Sequence, residues 1–133
     1  MEMVLRTVFL IALILSAATN PMHAEALRVT GATGYLSEWE VSGNIAETAF
    51  GRVREFSGPL TMRHVGLCSQ NGPEEKAAEI RLQITRSGAR SWIRATMIMD
   101  GAKCVFSGTL SDTYNGLMDC ADAKGVPVTL SIK

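Results

Sequence analysis

EIRLQITRSGARSWIRATMIMDGAKCVFSG, residues 79–108, holds three apolar–polar alternations separated by two turn signals. Ile80, Leu82 and Ile84 fall on one face of the first segment, and Glu79, Arg81 and Gln83 on the other. A period of two over such a run means a half-buried strand. In residues 91–99, Ile93, Ala95, Met97 and Met99 share one face, while Trp92, Arg94, Thr96 and Ile98 share the other. Asp100-Gly101 follows, a dipeptide suited to a type I′ hairpin turn, whose two central residues need positive φ.

The turns set a register that the sequence itself can check. If Met99 faces Ala102, then Met97 faces Cys104, Ala95 faces Phe106 and Ile93 faces Gly108. Closing the preceding hairpin at Arg86 and Ser91, with Ser87, Gly88, Ala89 and Arg90 as its loop, sets Ile84 beside Ile93, Leu82 beside Ala95 and Ile80 beside Met97. Both hairpins put their apolar residues on the same face, as a sheet with one buried side requires.

Further strands extend this core in both directions. A third hairpin joins 103–110 to 116–120 through a loop at 111–115, with Phe106 opposite Met118, Cys104 opposite Cys120 and Gly108 opposite Gly116. Residues 126–132 form a last strand, with Pro127 tolerable near its start. Leu60–Val65 forms an earlier one whose alternation slips near His64, as a bulge would cause. In 27–57, Trp39 and Val41 alternate with Glu38, Glu40 and Ser42. Val53 alternates with Arg52 and Arg54, and Gly43-Asn44 reads as the turn between these two segments. The count is about eight strands with no helical pattern between them, which excludes βαβ units. The expected fold is all-β: a small antiparallel up-and-down meander, closed or partly open as a barrel, with a β-sandwich as the alternative.

The first residues read as an export signal. Arg6 ends a short n-region that also contains Glu2, and an uncharged apolar run from Val8 to Leu15 follows. That run is shorter than the roughly 20 residues needed to span a bilayer and fits a signal h-region. Ala24-Glu25-Ala26 offers small residues for cleavage after Ala24 or after Ala26. The expected organisation is a signal helix over 1–24 and a single β domain over 25–133, in the periplasm or secreted. No later run is long enough to span a membrane.

Lysines plus arginines equal aspartates plus glutamates, so the formal net charge is zero. A neutral domain lacks the electrostatic footprint of a nucleic-acid or anionic-membrane binder. Cys68, Cys104 and Cys120 read as disulfide candidates in an exported chain. The hairpin register makes Cys104–Cys120 the preferred bridge, with Cys68 either free or an alternative partner.

No constellation in the sequence points to catalysis, a metal or a cofactor. His64 has no partner in a local motif, and Asp119, Asp122, Glu74 and Glu75 read as solvated loop charges. Met97, Met99 and Met118 have the softness for a thioether metal site with His64 or Cys68, but Met97 and Met99 share the core face, where methionine fills gaps. The partner-binding candidates are Ser87, Gly88 and Arg90 in a loop, with Trp92 and Arg94 on the outward face beside it. An outward Trp next to Arg suits an interface anchor.

The Ser87–Arg90 loop resembles the Ser-Gly-x-Lys/Arg loop of periplasmic c-type lysozyme inhibitors, which are small disulfide-bridged eight-stranded barrels. The likeness runs from Ser87 to Gly101. It breaks where Ser91 and Trp92 replace that family's tyrosine, and again where Asp100 replaces its lysine before glycine. The expected function is therefore a non-enzymatic exported binding module for an unidentified protein or small ligand, held by end loops or a small interior cavity. A hydrolase inhibitor of the lysozyme type and a structural envelope protein are the alternatives.

Overall fold

The computed structural model describes residues 25–49, 51–65 and 74–133. Eight strands follow one another around a closed barrel: β1 (Ala26–Thr33), β2 (Trp39–Ala49), β3 (Val53–His64), β4 (Glu75–Ser87), β5 (Arg90–Met99), β6 (Ala102–Leu110), β7 (Thr113–Cys120) and β8 (Val126–Ile132). Every neighbouring pair is antiparallel, and β1 pairs with β8 to close the wall. Closure leaves no sheet edge to pair with another chain. The expected signal helix lies outside the described residues, among which no helix is long and apolar enough to cross a membrane.

The interior is filled by side chains. Val29, Val41, Ile45, Phe56, Leu60, Ile80, Leu82, Ile93, Met97, Phe106, Met118, Val128 and Leu130 are all buried there. Small barrels of this strand number are just wide enough for their side chains to fill, and that leaves the interior-ligand form of the binding expectation without room. The outward positions carry charge instead, among them Glu40, Glu79, Arg81, Arg94 and Lys103, all exposed. A membrane-spanning barrel has the opposite arrangement, with an apolar outer band.

The two central hairpins have the register expected from the sequence. Met99 pairs with Ala102, Met97 with Cys104, Ala95 with Phe106 and Ile93 with Gly108; Ile84 pairs with Ile93 and Leu82 with Ala95. Asp100 (φ 50°) and Gly101 (φ 76°) make the turn. The β4–β5 ladder runs one pair further than expected, to Ser87↔Arg90, so the loop is only Gly88-Ala89, with Gly88 at φ 62°.

Four expectations need correction. Gly43-Asn44 is no turn: it lies inside β2, where a Cβ on Gly43 would stand 2.5 Å from the Pro59 carbonyl oxygen. The glycine serves a close approach between strands, and the chain reverses between Ala49 and Val53 instead. Val53 does not face the core; it is 43% exposed, because Phe56 lies on the opposite face and takes the interior. Arg54 shares Phe56's face. The irregularity expected near His64 is absent there, and a register shift occurs in β2 between Glu47 and Ala49. Finally, Thr113–Asn115 belong to β7 rather than to a loop, since they pair with Ser131, Leu130 and Thr129 of β8.

The β6–β7 ladder is also shorter than expected. It holds only Cys104↔Cys120 and Val105↔Asp119 as aligned pairs, without Phe106↔Met118 or Gly108↔Gly116. Tyr114 occupies this seam. Its ring stacks on Phe106 at 5.0 Å between centroids, and its hydroxyl donates to the Ser107 carbonyl at 3.3 Å. Gly108 and Gly116 leave the space for that ring, since a Cβ at either would fall within 3 Å of it. The disulfide between Cys104 and Cys120 pins the seam at its other end.

Candidate functional site

The strands alternate in phase from the core out to the barrel end that carries the 50–52, 88–89 and 111–112 connections. Beyond Phe56 on β3 the next inward position is Arg54, and Arg52, just before the strand, lines the same recess. Beyond Leu82 on β4 they are Ile84 and Arg86. Ile45 on β2 is followed by Glu47. The inward face thus changes from apolar to charged over one or two steps, and the barrel mouth forms where it changes.

Glu47 is the deepest of these charges. Its side chain is 3% exposed, and it sits opposite Phe56 in the β2–β3 register. A carboxylate this buried needs a partner and hydrogen bonds. Arg54 supplies both, donating from Nε at 2.8 Å and from an NH2 group. The same guanidinium lies 5.1 Å above the Phe56 ring centroid and donates to Glu25, whose carboxylate is half-exposed. Two carboxylates around one cation, Glu25 the stronger, hold Arg54 above the ordinary guanidinium range, so it stays charged. The register shift at Glu47/Ala49 inserts Thr48 at the rim, the kind of irregularity that re-aims side chains at barrel ends.

Around this pair lies a recess of about 430 Å³. Leu27, Phe56, Ile84, Leu110 and Ile132 form its apolar surface, while Arg52, Arg54, Arg86, Glu25, Ser91 and Ser111 supply the polar groups. The volume falls in the range of small-molecule sites, and the mixture of apolar lining with a few convergent polar groups is their usual composition. Smaller grooves occur on the outer wall, such as one of about 380 Å³ beside Glu79, Arg81 and Lys103. These lie over solvated strand faces and have no buried charge within them.

The structure divides the residues expected to bind a partner. Ser87, Gly88 and Arg90 stand at the rim of this mouth, next to Arg86. Trp92 and Arg94 point outward along β5; Trp92 is 50% exposed, and Arg94 lines an outer groove with Val105, Leu117 and Asp119. Between them only Ser91 turns into the recess. With a two-residue turn in place of a four-residue loop, the rim has little chain to insert into a hydrolase cleft.

Arg52, Arg54, Arg86, Glu25 and Glu47 do not stand out in the sequence as site residues. The signal that could have found two of them is parity: Ile80, Leu82 and Ile84 put Arg86 on the inner face, and Phe56 does the same for Arg54. Of the other candidates, His64 packs edge-on against Trp39 at 4.7 Å between centroids. Met97 and Met118 are buried in the core. No cluster of three or more His, Cys, Asp or Glu side chains suited to a metal occurs among the described residues. Cys68 lies outside them. Comparisons with protein-family models, curated proteins and solved structures return no match for this chain.

Proposed function

We propose that this chain is an exported, non-enzymatic binding module that takes its ligand at the arginine-lined mouth. The observation that carries the reading is the recess itself, where inward-facing charge meets a partly buried apolar floor above a filled interior. Small barrels commonly present ligand sites at their mouths. The apolar run at the N-terminus and the Cys104–Cys120 bond support a periplasmic or secreted location, since disulfides persist in oxidising compartments.

Glu25 bears on where the signal peptide is removed. Its carbonyl accepts the Glu47 N–H at 2.9 Å, and its carboxylate pairs with Arg54. Cleavage after Ala24 keeps both contacts; cleavage after Ala26 deletes both. These contacts favour a mature chain that begins at Glu25. Intact-mass measurement of the exported protein checks this, and a chain beginning at Leu27 would refute it.

The site is tested by titrating ¹⁵N-labelled exported protein with extract from its own envelope compartment. Amide shifts should concentrate on Arg54, Phe56, Ile84, Arg86 and Leu110. Shifts concentrated on Trp92 and Arg94, or none at all, would overturn the reading.

A further inference from the structure

We infer that the ligand of this mouth is an amphiphilic anion, a carboxylate carried on a short apolar body. The inference rests on the proposed binding role and adds the chemical class. Three guanidinium groups, Arg52, Arg54 and Arg86, line the recess against two carboxylates, Glu25 and Glu47. Among these side chains the local balance is one net positive charge, in a chain that is neutral overall.

The two carboxylates differ in how firmly they are held. Glu47 is committed: its side chain is 3% exposed, and releasing Arg54 would strand a buried charge. Glu25 is 53% exposed and sits one residue before β1, so solvent can take it up cheaply. It reaches Arg54 from the recess side. Its carboxylate therefore marks the position a ligand carboxylate would occupy, and it acts as a resident competitor. Arg52 and Arg86 form no ion pair among the described residues, so an incoming anion gains partners that Glu25 does not use.

The apolar floor fixes the other half of the ligand. Leu27, Ile84 and Leu110 are only partly buried although they face inward against the core. Covering them releases water from apolar surface, which is favourable in proportion to the area covered. Arginine is the side chain best suited to grip a carboxylate in two-pronged fashion at the rim above that floor. A cation of the same shape would meet the net positive rim, and a neutral molecule would gain the floor alone.

The test uses exported protein with three probes of one chain length: octanoate, 1-octanol and octylammonium. Binding is followed by calorimetry and by the amide resonances of Phe56, Ile84 and Leu110. Octanoate should bind most tightly. Glu25→Gln should strengthen octanoate several-fold by removing the competitor, and Arg86→Gln should weaken it roughly tenfold, the scale of one lost charge-assisted hydrogen bond. Neither variant should change octanol binding or the unfolding midpoint appreciably. Octanol or octylammonium binding as tightly as octanoate would overturn the anionic class while leaving the mouth as a site. Envelope extract that moves the mouth resonances when no probe does would also overturn the class and keep the site. If neither extract nor probes move them, both readings fall.

Discussion

The two ends of the barrel are closed by different means. At one end, Cys104 and Cys120 are covalently joined, Trp39 packs edge-on against His64, and Lys76 lies 4.6 Å above the Trp39 ring while pairing with Asp100 at 2.8 Å. Many modest contacts share the work there, mostly at half-exposed groups. At the other end a single buried carboxylate, Glu47, is neutralised by Arg54, and the groups around it leave a recess. Apart from the disulfide, the seal at the first end is diffuse and tolerates the loss of any one non-covalent contact. A concentrated one does not, and its concentration is what leaves room for a ligand.

The largest effect expected from this contrast is at Arg54. Arg54→Gln leaves Glu47 buried without its cation, which should cost about 3–5 kcal/mol of stability. Glu47→Gln should cost clearly less, because Arg54 is 39% exposed and keeps Glu25. Urea unfolding of the two variants measures the asymmetry. A small loss for Arg54→Gln, no larger than that for Glu47→Gln, would mean that the mouth is sealed diffusely, and the contrast would fail.

How far the sequence exposes these two ends depends on local pairing. Along β4, β5 and β6, two short turns connect adjacent strands, so register propagates from residue to residue. Ile80, Leu82, Ile93, Ala95, Met97 and Phe106 can therefore be placed in the core by counting outward from the turns. The Cys104–Cys120 pairing needs the third hairpin as well, whose expected register holds at that bond but not at Phe106 and Met118. β1 and β7 have partners set by barrel closure: Thr113–Asn115 look like a loop until β8 is placed beside them. Gly43 looks like a turn until Pro59 approaches it from β3. The mouth was hidden for a further reason. Patterning assigns charged residues to the outside, and Arg54 and Glu47 each break that rule only because the other is present. A buried ion pair is a property of two strands, and neither strand's sequence contains it.

The second effect, somewhat smaller, sharpens the covalent side of the contrast. Replacing Cys104 and Cys120 together by alanine opens a loop closed across a separation of 16 residues. The unfolded chain regains freedom worth about 3 kcal/mol for a loop of this length. The loss should be local as well as global, because only two aligned pairs join β6 to β7. Amide exchange should accelerate from Gly116 to Cys120 while Ile80–Ile84 on β4 exchange only through global unfolding. Uniform acceleration across all strands would show that Tyr114 and the glycines beside it hold the seam without the bond.

The smallest effect separates the ends by their response to pH. Backbone hydrogen bonds, its own and that from the Leu36 N–H, hold Glu38 below its ordinary value of 4.5, and a hydrogen bond from Lys76 to Asp100 holds Lys76 above 10.5. Both groups belong to the disulfide end. A lowered carboxylate gives stability that is present above its unfolded value and lost as the pH falls through the folded one. A raised lysine gives stability that is present below its unfolded value and lost as the pH rises through the folded one. Tyr114, raised above 10.0 by burial, acts on the same alkaline side. Arg54 stays charged throughout, so the mouth's ion pair contributes nothing to the alkaline decline. Lys76→Gln should therefore flatten the alkaline limb of the unfolding midpoint by an amount worth under about 1 kcal/mol, since the pair is largely solvated. Glu25→Gln should leave that limb unchanged. If Glu25→Gln flattens it and Lys76→Gln does not, the charge that matters to the fold lies at the open end, and the assignment of diffuse and concentrated seals must be reversed.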